Sequence, residues 1–405
     1  MSTRTLGIVA LAACAALSLA ACGRSAGQTA TATSAYDTSK PVPGSSDGKP
    51  DATPAEVKAA LAQDPWWYPS LFVDCTAPAT DAKGCNGAPT AGVYNAIPKA
   101  LATKKHQICA VLPHVKDPYW VAMDYGTVTE AKRLGVTLDV YEAGGYTELS
   151  KQLNQIDDCV AAGAKAIIIG AISFDGLDAK VAELRGQGIY VIDGLNGISS
   201  DKVSARAVLA WHEMGTAAGS YLKERGGTDK VAWFPGPAGA GWAEDATKGI
   251  QDILKGTGAT IVATKYGDTD KNVQLRLVED TLQASKDVTV IAGTAVTAEA
   301  AAASPLSAGK TILADYLIPS TFDLVKSGKV TCAISDQPVI QARMAVDMAV
   351  RLLEGIPLDD GRQRAFPAPI RVCGPAAGTA QNLADFIPET TFAPAGFSPV
   401  FHVAG

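Results

Sequence analysis

The sequence predicts an α/β protein built as two doubly wound parallel-sheet lobes joined by a three-crossing hinge. First, from Gln107 onward, short apolar runs alternate with amphipathic stretches almost without a break, the pattern of parallel strands covered on both faces by helices. Second, these strands are too many for one open sheet, so two sheets are the natural solution. Third, polar, turn-forming connections fall where the chain must pass between lobes. They are Gly194 to Asp201, then Ser335-Asp336-Gln337-Pro338, then the approach to PIRVC at Pro369. On this reading residues 106–196 and 337–368 form the first lobe, and 197–336 with 369–401 form the second.

Three segments precede the lobes. Arg4 supplies a short positive region, and Leu6 to Ala21 is a nearly pure apolar run, too short and Ala-rich to read as a membrane span. It ends in Leu19-Ala20-Ala21-Cys22-Gly23, a lipobox pattern. Residues 1–21 therefore read as a lipoprotein signal peptide and Cys22 as the lipidated mature N-terminus; the alternative is a plain signal peptide followed by a chance cysteine. Residues 22–63, rich in Ala, Ser, Thr, Gly, Asp and Pro, bury too little to fold and read as a disordered tether to the membrane. Residues 64–105 are an N-terminal extension whose Trp66, Trp67 and Tyr68 either cover an edge of the first lobe or touch a partner. A net charge of −6 argues against a nucleic-acid partner.

The first lobe opens with the strand QICAVLP at Gln107 and the turn HVKDPYW. The helix VAMDYGTVTEAKRLG follows, with Val121, Tyr125, Val128 and Leu134 on its apolar side. VTLDVYE from Val136 is the next strand, ending in AGGY. Leu149, Leu153, Ile156 and Val160 then mark one helical face, and AKAIIIGA and IYVIDG are apolar strands. After Asn196-Gly197 the pattern restarts, with strands near 203–209, 230–235, 259–265, 288–294, 311–317 and 330–335. Helices lie near 273–282 and 338–354.

Eight cysteines fall to six once Cys14 and Cys22 are set aside, an even number in an exported chain. Cys75 and Cys85 bracket a small-residue loop. Cys109 starts a strand and Cys159 ends a helix that runs back along the sheet, so both lie at its amino-terminal edge. Cys332 and Cys373 remain, in two late strands. The expected pairs are Cys75–Cys85, Cys109–Cys159 and Cys332–Cys373. A thiolate metal site is the alternative, but no pair has CxxC spacing, and no metal or cofactor is expected.

The search for catalytic chemistry is negative. Four histidines stand in unrelated contexts, and His212-Glu213 is followed by Thr216 where a zinc helix needs a second histidine. Gly236-Pro237-Ala238-Gly239-Ala240-Gly241 lacks GxGxxG spacing, and Pro237 removes an N–H that a phosphate would use; it reads as a turn lining the cleft. The chain is expected not to be an enzyme. What the sequence does offer is aromatics: Tyr119, Trp120 and Tyr146 lie just past strand carboxyl ends, where open α/β sheets bind ligands. They suggest a pocket for something flat, apolar or cationic, unless they are ordinary core or rim rings.

CAVLPHVKDPYW, YEAGGY, QIDDC…AKAIIIG, AVLAWHEMG, WFPGPAGAG, AGTAVTAEAA, SDQPVIQARMAV and PAGFSPVF, in this order, resemble the TorT-like branch of the type 1 (ribose-binding-like) periplasmic binding proteins. The resemblance implies the type 1 periplasmic binding protein fold and a solute-binding role, with trimethylamine N-oxide as the ligand of that branch. It implies an aromatic box at Tyr119, Trp120, Tyr146, Trp211 and Tyr316, closed when the two lobes meet. It also places Asp336 and Gln337 at a hinge crossing, as ligand contacts or as hinge caps. The expected function is thus a membrane-anchored extracytoplasmic solute-binding protein for a small N-oxide or quaternary-ammonium-like ligand, serving sensing or uptake. Its partner would be a sensor histidine kinase or an ABC permease. The alternative is the sugar-binding component of an ABC importer. Pro118 stands where the branch has Ser, and the lipobox, tether and extension have no counterpart in it.

Overall fold

The computed structural model describes residues 48–75, 85, 87–209, 211–378 and 383–405; Cys14, Cys22 and the signal segment lie outside them. In chain order the elements are α1 (Pro54–Leu61), β1 (Trp67–Val73), β2 (Thr90–Asn95), β3 (Gln107–Leu112), α2 (Pro118–Leu134), β4 (Thr137–Glu142) and α3 (Leu149–Ala161). Next come β5 (Ala166–Ile169), α4 (Asp178–Gly186), β6 (Tyr190–Gly194), β7 (Ala205–Ala207), α5 (Trp211–Arg225), β8 (Lys230–Phe234), α6 (Gly241–Leu254) and β9 (Thr260–Thr264). The chain continues through α7 (Lys271–Ala284), β10 (Val290–Gly293), α8 (Ala295–Ala303), β11 (Thr311–Ala314), α9 (Pro319–Lys326), β12 (Cys332–Ser335) and α10 (Pro338–Glu354). It ends in β13 (Arg364–Pro367), β14 (Ile370–Cys373) and β15 (His402–Val403).

These strands form two sheets, ordered β15-β4-β3-β5-β6-β7-β13-β1-β2 and β14-β12-β11-β10-β8-β9. Within them β4-β3-β5-β6-β7 and β9-β8-β10-β11-β12 are parallel runs with the same doubly wound order. Each reverses direction next to its first strand, at β3/β5 and at β8/β10, and such a reversal opens the crevice where ligands bind. The predicted α/β class and two-lobe architecture are therefore what the chain forms. The strands are nearly all-apolar because helices cover both faces; Ala166 to Ile169 are all buried.

Three expectations are corrected. The segment near 203–209 was assigned to the second lobe, but β7 pairs with β6 and β13 in the first sheet, so the chain leaves that lobe only after Ala207. Arg206 holds it there, donating to the buried Asp193 carboxylate of β6 at 2.6 Å. The tether ends earlier than 63: Thr53 and Glu56 form a capping box, Pro54 takes the first turn, and Val57 and Ala60 are buried, so α1 is part of the folded body. On α2, Val121 and Tyr125 are only half-buried, while Tyr119, Trp120, Ala122 and Met123 face inward. Asp117 accepts the N–H groups of Tyr119 and Trp120, starting the helix three residues before the apolar period does.

The connections at 208–211, 336–338 and 367–370 carry the chain between sheets. The last residues then return to the first sheet as β15, beside β4. Gln337 has a left-handed backbone, φ 53°, uncommon for a residue with a Cβ. Its Nε2 donates to the carbonyls of Ser335 and Ala368, tying the second connection to the third. The extension joins the first sheet through β1 and β2. Trp66 is fully buried, stacked on Tyr94 under the Arg343 guanidinium, which favours the edge-covering reading of these aromatics. All three cysteine pairs bond as expected, and Cys332 lies directly opposite Cys373 in the antiparallel pair β12/β14.

Candidate functional site

Loops at the carboxyl ends of both sheets bring aromatic rings together between the lobes. Tyr119 and Trp120 open α2, and Tyr146 follows β4. From the second lobe, Trp211 opens α5, Trp242 is the second residue of α6, and Tyr316 follows β11. Ring contacts close a circuit: Tyr119 to Tyr316 (5.2 Å), Tyr316 to Trp242 (6.3 Å), Trp242 to Tyr146 (6.2 Å), Tyr146 to His114 (5.6 Å), His114 to Trp120 (6.2 Å) and Trp120 back to Tyr119 (5.9 Å). Most are edge-on or tilted contacts, the arrangement aromatic pairs prefer. Trp211 backs the circuit against Trp242 at 5.4 Å, and its Nε1 donates to the Leu195 carbonyl in the first lobe at 2.9 Å.

The five ring residues expected from the sequence thus line one cavity, together with Asp117, Asn196, Trp242 and Thr269. Its volume is about 20 Å³. Beside it opens a hollow of about 650 Å³, lined by residues that include His114, Lys116, Asp268, Lys271 and Glu299. Asp117 and Thr269 form walls of both.

Two glycines make room for the tryptophans. A Cβ at Gly170, just past β5, would lie 2.7 Å from the Trp120 ring, and one at Gly236 would collide with Trp242. Gly236 also has φ 112°, a conformation that favours glycine.

Asp336 and Gln337 do not line the cavity. Asp336 lies behind it, accepting the Tyr119 hydroxyl and Gln341 Nε2, so it sets the orientation of a cage ring. Burial lifts its carboxyl to about 6 against those hydrogen bonds. Gln337 makes the inter-connection tie described above, which is the hinge-cap alternative. Burial raises the hydroxyls of Tyr119, Tyr146 and Tyr316 far out of the physiological range, so the rings stay neutral and electron-rich. Asp117 is raised by burial against the pull of His114, and His114 is lowered by burial against the nearby Asp117 and Asp268 carboxylates.

Sequence reasoning missed Trp242, Asn196 and Thr269 as cavity walls. Trp242 had a usable signal, because it follows a glycine-rich turn past a strand end, the context that singled out Tyr146. Asn196 had none, since its role rests on where its side chain turns: Nδ2 donates to the Tyr146 hydroxyl at 3.1 Å and the Ala171 carbonyl at 2.7 Å.

Residues 108–357 match the model of the periplasmic binding protein domain. The periplasmic protein TorT of Escherichia coli K12 is 34% identical over 306 residues, covering 74% of this chain and 85% of its own. Among solved structures, an ABC transporter solute-binding protein from Bradyrhizobium sp. BTAi1 with bound bis-tris is 42% identical. It superposes with a TM-score of 0.67, covering 82% of this chain and 98% of its own. TorT in complex with the TorS sensor domain, in the presence of trimethylamine N-oxide, is 29% identical with a TM-score of 0.64, covering 73% and 99%.

Proposed function

Since the chain belongs to the periplasmic binding protein family, whose relatives above are solute-binding and sensor proteins, we propose that it is a membrane-anchored receptor for a small N-oxide or quaternary-ammonium-like solute. The observation that carries this is the aromatic circuit shared between lobes. Ring faces attract a cation that cannot donate hydrogen bonds by about 0.5–2 kcal/mol each, and the Asp117 carboxylate adds a negative wall. Because Tyr119, Trp120 and Tyr146 belong to one lobe and Trp211, Trp242 and Tyr316 to the other, the full set exists only when the lobes meet. A ligand bound by the full set stabilises that arrangement, which a membrane partner then reads.

The chemistry disfavours the sugar alternative. A pyranose needs several donors and acceptors around its hydroxyls, whereas the cage offers Asp117, Asn196 and Thr269 beside six rings. The Bradyrhizobium relative, an ABC transporter component holding an amine buffer, favours uptake through an ABC permease; the TorS complex of TorT supports the sensor-kinase reading. The neighbouring genes separate the two: permease and ATPase genes mean uptake, a histidine kinase gene means sensing. Anchoring rests on the lipobox at Cys22, and Cys22→Ser should release the protein from the membrane fraction.

A thermal-shift screen tests the ligand class. Trimethylamine N-oxide, choline, betaine and tetramethylammonium should raise the melting temperature, whereas ribose and glucose should not. A response to sugars alone would overturn the reading.

A further inference from the structure

We propose that His114 is the polar anchor of this site, donating from Nε2–H to an oxygen carried by the ligand's ammonium group, so that the protein selects an N-oxide over a bare tetraalkylammonium ion. The inference rests on the cage reading above and names which member of that ligand class the site takes.

His114 is 3% exposed, and its edges pack on Trp120 and Tyr146, closing the aromatic circuit. Its Nδ1 faces the backbone N–H of Lys116 at 3.3 Å, so it acts as an acceptor. In a neutral imidazole the proton then sits on Nε2. Nε2 has no hydrogen-bond partner among the described residues, and the ring lines the 650 Å³ hollow. A nearly buried donor without an acceptor is costly unless something accepts from it.

The position of that acceptor follows from the two cavities. Asp117 and Thr269 are walls of both, so a trimethylammonium group held in the cage presents its fourth substituent toward the junction that His114 borders. An N–O bond pointing there is a dipole with its positive end toward the rings and its negative end toward the imidazole N–H. Lys116 and Lys271 line the hollow together with Asp268, Asp270 and Glu299. Trp242 Nε1 exposes less than 1 Å², so an oxygen in the cavity does not reach it.

Trimethylamine N-oxide and tetramethylammonium differ in O against CH₃ at nitrogen and so in net charge, and the change in their ratio on mutation reports on this donor. Calorimetric titration of both into the parent, His114→Phe and His114→Gln, beside melting curves, makes the test. Phenylalanine keeps a ring in the circuit and removes the N–H; glutamine removes the ring and keeps a donor. His114→Phe should weaken N-oxide binding about tenfold or more while tetramethylammonium affinity stays within about twofold, and His114→Gln should retain the parent's preference for the N-oxide. Equal losses for both ligands in His114→Phe, no loss for the N-oxide, or a glutamine variant that behaves like phenylalanine would each overturn the proposal. A parent that binds neither ligand would overturn the cage reading and the anchor with it; the other outcomes leave the cage standing.

Discussion

Two buried polar regions of the first lobe and its border meet opposite fates. Under the extension, Glu130 and Asp347 are fully buried, yet every oxygen is used. Glu130 accepts from Trp66 Nε1 at 3.0 Å, Arg343 Nε at 3.0 Å and Arg133. Asp347 accepts from the Tyr94 hydroxyl at 2.6 Å, the Ile97 N–H at 2.8 Å and Arg351 Nε at 2.7 Å. At the border between lobes the opposite holds. Of the ten buried side-chain polar atoms without a partner among the described residues, five belong to Asp315, Asp336, Gln337 and Trp242, all beside or behind the cage. Buried polar groups in folded proteins are almost always paired, so the first region is a finished fastening, and the second concentrates the unsatisfied polarity of the described residues at the proposed site. On the proposed function, stability and recognition fall at different ends of the same helices: α2 and α10 carry the ion network along their bodies and the cage residues and connections at their starts.

Removing Glu130 should produce the largest effect on the fastening. Burial alone would raise its carboxyl, but the guanidiniums of Arg343 and Arg133 hold it below the usual range. Glu130→Ala strands the buried Arg343 and the Trp66 indole, while Arg133 keeps Asp64 and the Ile97 carbonyl, and should cost about 3–5 kcal/mol, seen as a lower urea midpoint. Ligand affinity of the folded fraction should stay within about twofold; a large affinity loss at unchanged stability would erase the distinction between the regions.

Reduction of the disulfides comes next, at about 2–4 kcal/mol for a bond closing a long loop, read as a drop in melting temperature. Peptide mapping should find Cys109 with Cys159 and Cys332 with Cys373. A Cys109–Cys332 peptide would contradict the division into two sheets.

The unsatisfied region should show itself through pH. Asp336 titrates near 6 in the folded protein, above the value near 4 of an unfolded aspartate, so its stabilising contribution is full below about pH 4 and disappears as pH rises through about 6. Other buried carboxylates push the same way, and comparison with a variant isolates this one. Between pH 4 and 7.5 the unliganded parent should lose roughly 2 kcal/mol more stability than Asp336→Asn. Parallel stability curves for the two proteins would show that Asp336 ionises normally.

The sequence made the alternation of strands and helices legible, because parallel strands buried on both faces must be apolar throughout. It made Tyr119, Trp120 and Tyr146 legible too, since rings past strand ends have few structural reasons to be there, whereas Trp211 and Tyr316 came from the family resemblance. It misplaced β7 because the polar stretch 194–201 looks like a crossing; the interactions that keep the chain in the first lobe, Arg206 to Asp193 and the pairing with β13 from far along the chain, leave no local mark. It hid α1 inside a small-residue segment whose capping box spans only Thr53 to Glu56. It treated Asp336 and Gln337 as candidate contacts because adjacency to a crossing does not reveal which way a side chain turns.

The account's central claim is that the aromatic cage at the lobe border is the binding site, and Trp242, the ring that sequence reasoning overlooked, tests it most directly. Trimethylamine N-oxide titrated calorimetrically into the parent, Trp242→Phe and Trp242→Ala, each checked by its melting curve, is the measurement. The account predicts measurable binding by the parent, partial retention with phenylalanine, and an affinity loss of tenfold or more with alanine, on the order of 1.4 kcal/mol. A folded Trp242→Ala that binds as tightly as the parent would contradict it.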